Sequence, residues 1–98
     1  MKVVLVPEFI KEIAREWNPT DQGRVGGVFA LLADDDWRNE HRVDWVFNET
    51  QKGDLGVPDH ETVWAVAHAR VTVAFFETID AVAVVYVNRR STMHPGWL

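Results

Sequence analysis

Residues 61–90 hold nearly all of the strong strand-forming residues of the chain, and they constrain the fold more than any other stretch. Val, Phe, Tyr, Trp and Thr fill two runs on either side of a polar break at residues 77–80. β-branched and aromatic side chains suit a pleated, half-buried surface. The pattern therefore predicts a β-hairpin whose turn is the polar break.

The pairing predicted for this hairpin places Phe76 opposite Ala81 and His68 opposite Arg89. Side chains alternate between the two faces of a strand, so we expect His68, Arg70 and Arg89 to share one face. The apolar residues of the first run fall on the other face: Val71, Val73 and Phe75. The sequence thus predicts a small basic corner at one end of the hairpin.

The run at residues 62–76 is too long for one straight strand. It contains no Gly, Pro, Asn or Asp, and it would span roughly 50 Å if fully extended. A domain of this size has a radius of gyration of only about 13 Å. We therefore predict a bend near His68 and Ala69, where the side chains are smallest and most polar.

The N-terminal third predicts one strand and two helices. An apolar run at residues 2–6 ends at Pro7, and proline suits the first turn of a helix. Asn18 is a typical helix cap, and Pro19 then takes the first position of a second helix. Apolar residues recur at helical spacing in both segments: Phe9, Ile10, Ile13, Ala14 and Trp17, then Val25, Val28, Phe29 and Leu32.

Three glycines, Gly23, Gly26 and Gly27, interrupt the second helix. We interpret them as sites where this helix packs closely against a neighbour. A nucleotide-binding loop is disfavoured, because no glycine-rich phosphate motif follows a strand here.

An acidic segment separates the helices from the hairpin. Residues 34–61 carry nine acidic and three basic residues, so this segment has a net charge of −6 and the rest of the chain +1. Its alternation of Val43, Trp45 and Phe47 with polar residues predicts a strand, and residues 48–60 are expected to be a loop. The run Asp34-Asp35-Asp36 lacks the ligand spacing of a calcium loop, so no metal site is predicted.

Length and composition predict a single domain covering residues 1–98. The chain has no cysteine and starts with an apolar run too short for a signal peptide or a membrane span. We expect a cytoplasmic α+β protein without cofactors, in which two N-terminal helices pack on a mainly antiparallel sheet, in the order β-α-α-β-β-β.

Three patches resemble the RelE/ParE toxin superfamily of type II toxin–antitoxin systems. Residues 4–13 are similar to its opening strand and first helix, and residues 55–59 resemble the loop that leads into its central sheet. Residues 69–76 and 82–90 resemble its core hairpin, with Arg70 opening one strand and Arg90 closing the next.

The resemblance implies a toxin that is neutralised by an antitoxin protein. In the ribonuclease branch it implies metal-free cleavage of mRNA on the ribosome. Arg70 and Arg90 stand where the family arginines neutralise the scissile phosphate. His94 and Asp54 lie where some members keep acid–base residues, and Arg89 and His68 are expected to add phosphate contacts.

The chain also departs from that family. Thr62 and Trp64 replace the strand lysines of the ribosome-dependent branch, and Pro95 with Gly96 breaks the usual C-terminal helix. An acidic protein with few cations binds RNA phosphate weakly. A non-catalytic interaction module on the same fold therefore stays open, either as a ParE-type inhibitor of a protein target or as an oligomerising domain.

Overall fold

The computed structural model describes residues 2–34, 45–68 and 70–89. Within these ranges the chain forms eight elements. In chain order they are β1 (Lys2–Val4), α1 (Pro7–Glu16), α2 (Pro19–Ala33), β2 (Trp45–Val46), α3 (Glu49–Asp54), β3 (Trp64–His68), β4 (Val71–Glu77) and β5 (Ala81–Asn88).

The strands form one mixed sheet in the order β1-β5-β4-β3-β2. β1 pairs with β5 in parallel, whereas the three other neighbouring pairs are antiparallel. The α+β class and the mainly antiparallel sheet are confirmed. The predicted order β-α-α-β-β-β is wrong, because α3 follows β2 and residues 62–76 supply two strands instead of one.

Both N-terminal helices begin where the sequence predicts. α1 starts at Pro7, and α2 starts at Pro19 behind Asn18, whose side chain accepts a hydrogen bond from the Asp21 backbone N–H at 2.8 Å. The apolar stripe of α2 is buried at Val25, Val28 and Leu32. α1 is amphipathic, but none of its residues is fully buried.

The predicted bend in residues 62–76 is confirmed. β3 ends at His68, β4 begins at Val71, and these two residues face each other in an antiparallel pair. Because β4 lies between β3 and β5 in the sheet, His68 does not face Arg89. That part of the predicted pairing is wrong, and it fails because His68 belongs to a different strand pair.

The register predicted for the β4–β5 hairpin is also wrong. Phe76 pairs with Ala83 rather than Ala81. The turn is tighter than the polar break: the backbone N–H and the hydroxyl of Thr78 both donate to the Ala81 carbonyl, at 2.8 and 3.0 Å. Only residues 79 and 80 lie between this closing pair, so Glu77 remains in the strand.

A β-bulge shifts the register of the β4–β5 pairing a second time, near the middle of the hairpin. Phe75 pairs with Val84, but Ala74 pairs with Tyr86, so Val85 is the additional residue. Val85 and Tyr86 consequently both pack on the same side of the sheet, against the apolar cluster that includes Ala74. A bulge has this effect because two residues of one strand oppose a single residue of its partner.

The sheet separates two apolar clusters. The larger cluster packs α2 against one face and contains Trp17, Leu32, Val73, Phe75 and Val82. The smaller lies on the opposite face, where Ala74 and Phe76 meet Phe47, Val57 and Leu55. Side chains of alternate β4 residues enter opposite clusters, as the period of two requires.

Residues 48–60 are not the continuous loop that we predicted, because α3 occupies Glu49–Asp54. A capping box begins this helix: Asn48 Oδ1 accepts from the Gln51 N–H, and Gln51 Oε1 accepts from the Asn48 N–H, both at 2.9 Å. Reciprocal capping satisfies two helix-end donors. The Asn-x-x-Gln spacing was the sequence signal for this helix.

The glycines of α2 do not mark a close helix contact. Among the described residues, a Cβ atom added at Gly23, Gly26 or Gly27 would meet no atom within 4 Å outside the helix's own backbone. The close-packing interpretation of these glycines is therefore wrong. They lie on an open part of α2, while its buried stripe makes the contact with the sheet.

Candidate functional site

A buried carboxylate lies at the start of α2. Asp21 is only 1% exposed, although it is charged. Its backbone N–H donates to Asn18 Oδ1 at 2.8 Å, and Asn18 Nδ2 donates to Asp21 Oδ2 at 3.1 Å. The helix cap therefore also fixes the orientation of the carboxylate.

Two arginines approach this carboxylate from different elements. Arg24, one turn further along α2, donates from Nη1 to Asp21 Oδ1 at 3.3 Å. Arg70, in the turn between β3 and β4, places its Nε 3.3 Å from Asp21 Oδ2. A buried carboxylate needs such partners, because an unpaired charge in the interior is costly.

Both contacts of the Arg70 guanidinium with the described residues are made by its Nε atom. Its Nε also donates to the Arg89 carbonyl oxygen at 3.0 Å. Its side chain is 47% exposed, and none of the described residues is a hydrogen-bond partner of its two Nη groups. The guanidinium is thus oriented by the fold through Nε, while about half of the side chain stays exposed.

Arg89 completes the corner. Its guanidinium donates to the backbone carbonyl of Glu16, the last residue of α1. Helix C-termini carry partial negative charge and favour cations there. The guanidinium of Arg89 therefore links the end of β5 to the end of α1. Its backbone carbonyl also accepts the hydrogen bond from Arg70. We call Asp21, Arg24, Arg70 and Arg89 the arginine corner.

The structure brings together only part of the predicted site. Arg70 and Arg89 are in contact through the backbone of Arg89, and the exposed His68 ends β3 two residues before Arg70. Arg90 and His94 lie outside the described residues.

Asp54 lies on another part of the molecule. It is exposed at the last position of α3. The adjacent Leu55 packs against the smaller cluster, on the face of the sheet opposite α2. Within the described residues, no hydrogen bond or ion pair joins Asp54 to the arginine corner.

Sequence reasoning missed Asp21 and Arg24 as members of the site. Asn18, Asp21 and Arg24 follow one another at intervals of three, which places them on one side of a helix start. This spacing predicts the Asp21–Arg24 pair. It does not predict Arg70, which is distant in the chain and reaches Asp21 only through the turn between β3 and β4.

A second buried charge lies far from the corner in sequence. Lys52 of α3 is 8% exposed, and its Nζ donates to the carbonyls of Asp59 and Glu61 at 2.7 and 2.9 Å. The ammonium therefore ties residues 59–61 to α3. Its donors point at the protein's own backbone rather than at a ligand.

The side chains of the arginine corner suit the binding of an anionic oxygen. Within residues 2–34, 45–68 and 70–89, no group of three or more His, Asp or Glu side chains could hold a metal ion. The outer N–H groups of a fixed arginine match the geometry of phosphate or carboxylate oxygens.

No helix in the described ranges is long and apolar enough to cross a membrane.

Comparisons with protein-family models, with curated proteins and with solved structures found no match to this chain.

Proposed function

We propose that the arginine corner binds an RNA phosphate and that the protein is a RelE/ParE-like toxin that cleaves mRNA without a metal ion. The observation that carries this proposal is the state of Arg70, which is fixed through Nε, has a side chain that is 47% exposed and has no hydrogen-bond partner for its Nη groups among the described residues. The resemblance of residues 69–76 and 82–90 to the family hairpin supports the same assignment.

A fixed guanidinium suits the binding of a transition state. In RNA cleavage the 2′-hydroxyl loses its proton and attacks phosphorus, and the leaving 5′-oxygen gains a proton. Negative charge grows on the phosphate oxygens during this step, so donors that are already oriented contribute most. Asp21 and the Arg89 carbonyl hold Arg70 in this way before RNA arrives.

The proton transfers belong, in this proposal, to residues near the end of β5. Arg90 follows directly on Arg89, and His94 is four residues further on. Histidine changes its charge near neutral pH, which suits a group that both accepts and donates protons. We assign Asp54 no part in this corner, because its neighbour Leu55 packs on the face of the sheet opposite α2.

Induced expression in a bacterium tests the proposal. The parent chain is expected to deplete mRNA, and the Arg70→Ala variant to do so at least about tenfold more slowly, because an oriented cation is lost. Arg15→Ala is the matched control, since Arg15 is an exposed arginine on α1. Equal rates in parent and Arg70→Ala, both folded by circular dichroism, would remove the assignment.

Binding of a single-stranded RNA at several salt concentrations gives an independent measure. Each phosphate contact contributes about −0.7 to the slope of log K against log salt for single strands. Arg70→Ala is therefore expected to make the slope shallower by roughly that amount. An unchanged slope would show that Arg70 does not contact phosphate.

A second candidate is a non-catalytic interaction module on the same scaffold. One observation favours it: the guanidinium of Arg89 is already engaged by the Glu16 carbonyl, and the Nε of Arg70 by Asp21. These contacts also stabilise the fold by themselves. Following translation and DNA supercoiling separately after induction discriminates the two, because loss of mRNA indicates a ribonuclease and altered supercoiling a protein-target inhibitor.

The toxin proposal also includes a partner protein. A cognate antitoxin encoded by a neighbouring reading frame is expected to cover the toxin and suppress its effect. Co-expression of that frame is expected to restore growth. Failure to restore growth would separate this chain from two-gene toxin–antitoxin systems.

A further inference from the structure

One edge of the described sheet is formed by β1. This strand pairs with β5 and stands at the end of the strand order. An edge strand presents backbone N–H and C=O groups that can pair with a further strand. Two identical strands can pair in this way, because a two-fold axis perpendicular to the sheet relates two antiparallel neighbours. The β1 edge is therefore complementary to its own copy.

The chain from β1 to the middle of α1 exposes large apolar side chains. Val4, Val6 and Ile10 are 44%, 48% and 55% exposed. They are three of the five exposed large apolar residues in the part of the chain that the structure describes, and they lie within seven consecutive residues. Exposed apolar residues that are concentrated in one place indicate an interaction surface, whereas single scattered ones do not.

An apolar groove continues this surface between the two helices. Its volume is about 530 Å³, and its lining residues are Leu5, Ile10, Ile13, Ala14, Gln22 and Phe29. Gln22 is the polar member of this set, and its Nε2 already donates to the carbonyls of Ile13 and Ala14 at 2.9 and 3.4 Å. A small-molecule site usually offers a few polar groups that orient the ligand. This groove offers mainly apolar contacts, which suit protein side chains.

The distribution of charge favours a second copy of the chain as the partner. The whole chain has a net charge of −5. Residues 2–16 have no net charge, because they carry three bases and three acids: Lys2, Lys11, Arg15, Glu8, Glu12 and Glu16. The other residues therefore carry the whole −5. Like net charges repel, so two copies meet with least repulsion at residues 2–16.

We propose that two copies of the chain associate through this surface, with their β1 strands antiparallel and with each Ile10 covered by the partner copy. Both α1 helices then lie on the same face of the joined sheet, because the two-fold axis is perpendicular to the sheet. The proposal rests on β1, α1 and the groove, and it holds whether or not the arginine corner binds RNA.

The length of the edge sets the register of the proposed pairing. The run begins at Lys2, and Val6 is still extended, with φ −69° and ψ 147°. Pro7 ends the run, because proline has no N–H to donate. Val4 is the middle residue of these five, so the two Val4 side chains are expected to lie next to each other across the axis.

Sedimentation equilibrium of the full chain tests the association. The parent chain is expected to form dimers with a Kd below about 100 µM. Ile10→Lys is expected to raise this Kd at least about tenfold, because it places a charge in an apolar contact. Ile79→Lys is the matched control: it makes the same change at an isoleucine that is fully exposed beyond the end of β4, and its Kd is expected to equal that of the parent.

Two results of this experiment would overturn the proposal. A parent chain that stays monomeric at about 200 µM has no such interface. Dimers that form equally well in Ile10→Lys and in Ile79→Lys, with both variants folded by circular dichroism, use another face of the molecule.

A single introduced cysteine tests the register and decides the matter if Ile10→Lys does not fold. The chain has no native cysteine, so Val4→Cys can form a disulfide only between two copies. Directly opposite residues of antiparallel strands have Cβ atoms about 4.5–5.5 Å apart. In a glutathione redox buffer, Val4→Cys is expected to form linked dimers at least about tenfold faster than Ile79→Cys, because association holds the two thiols together. Equal rates for the two variants would contradict the proposed pairing of β1 with its copy.

Discussion

Asp21 and Lys52 are both buried charges, but their partners differ. Asp21 is paired with two arginines that are partly exposed, and one of them, Arg70, has no hydrogen-bond partner for its Nη groups among the described residues. Lys52 is satisfied by two backbone carbonyls of the loop after α3. The first arrangement orients cations toward solvent, whereas the second uses a cation to stabilise a loop.

This difference suggests that the Asp21 region is a binding site and that Lys52 is a structural residue. A buried group whose partners have donors left over can bind a further molecule at those partners. A buried group whose own donors are directed at backbone atoms can only stabilise the fold. Four substitutions, in order of decreasing effect, test whether the two regions divide in this way.

Asp21→Ala has the largest expected effect on stability. It removes the partner of Asn18, Arg24 and Arg70 together. At about 1 kcal/mol each for the Asn18 hydrogen bond and the Arg70 pair and about 0.5 kcal/mol for the Arg24 pair, the free energy of unfolding falls by about 2.5 kcal/mol. Urea denaturation measures the change. Asp21→Asn keeps the size of the side chain and is expected to cost about half as much, so a loss below about 1 kcal/mol for Asp21→Ala would contradict the pairing.

Lys52→Met is expected to lower the free energy of unfolding by about 2 kcal/mol, because two carbonyls lose a charged donor. RNA binding at the arginine corner is expected to stay unchanged. Lys11→Met on the exposed surface of α1 is the control and should change stability by less than about 0.5 kcal/mol. A change in RNA binding with Lys52→Met would contradict a purely structural role for Lys52.

Arg70→Gln sharpens the comparison, since it should affect function more than stability. The side chain is half exposed, so the loss of its pairing with Asp21 is expected to cost about 1 kcal/mol or less. RNA cleavage by the same variant is expected to fall at least about tenfold. If thermal unfolding and cleavage instead fall together to the level of Asp21→Ala, Arg70 acts mainly as a structural partner.

Arg24→Ala has the smallest expected effect. Arg24 pairs with Asp21 across one helical turn and is one-third exposed, and such pairs contribute about 0.3–0.5 kcal/mol. Combining Arg24→Ala with Arg70→Gln in a double-mutant cycle measures how strongly the two arginines share the carboxylate. A coupling near zero would mean that they bind Asp21 independently.

Local signals predicted much of the fold. Pro7, Asn18 and Pro19 fix the helix starts through backbone geometry that depends on a few neighbouring residues. Length alone predicted that residues 62–76 bend, and the small and polar side chains near His68 suggested the position of the bend. α3 was missed because Gly53 and Pro58 in its vicinity outweighed the Asn48–Gln51 capping box in the interpretation of residues 48–60.

The arginine corner was harder to predict, because it depends on pairing distant segments. The expected hairpin register differed by two residues at the turn, and the bulge at Val85 added a further shift. Each shift changes which side chains lie together. Arg70 and Arg89 were nevertheless expected at one corner, but their link through the Arg89 carbonyl and the carboxylate of Asp21 required the three-dimensional structure.

The parallel pairing of β1 with β5 also has a consequence for the order of folding. β1 precedes the other described elements, yet its partner in the sheet is the last of the described strands. During synthesis β1 therefore stays unpaired until residues 81–88 have left the ribosome. Contacts between such distant segments slow folding, so a nascent chain that stalls before β5 exposes an edge available for aggregation.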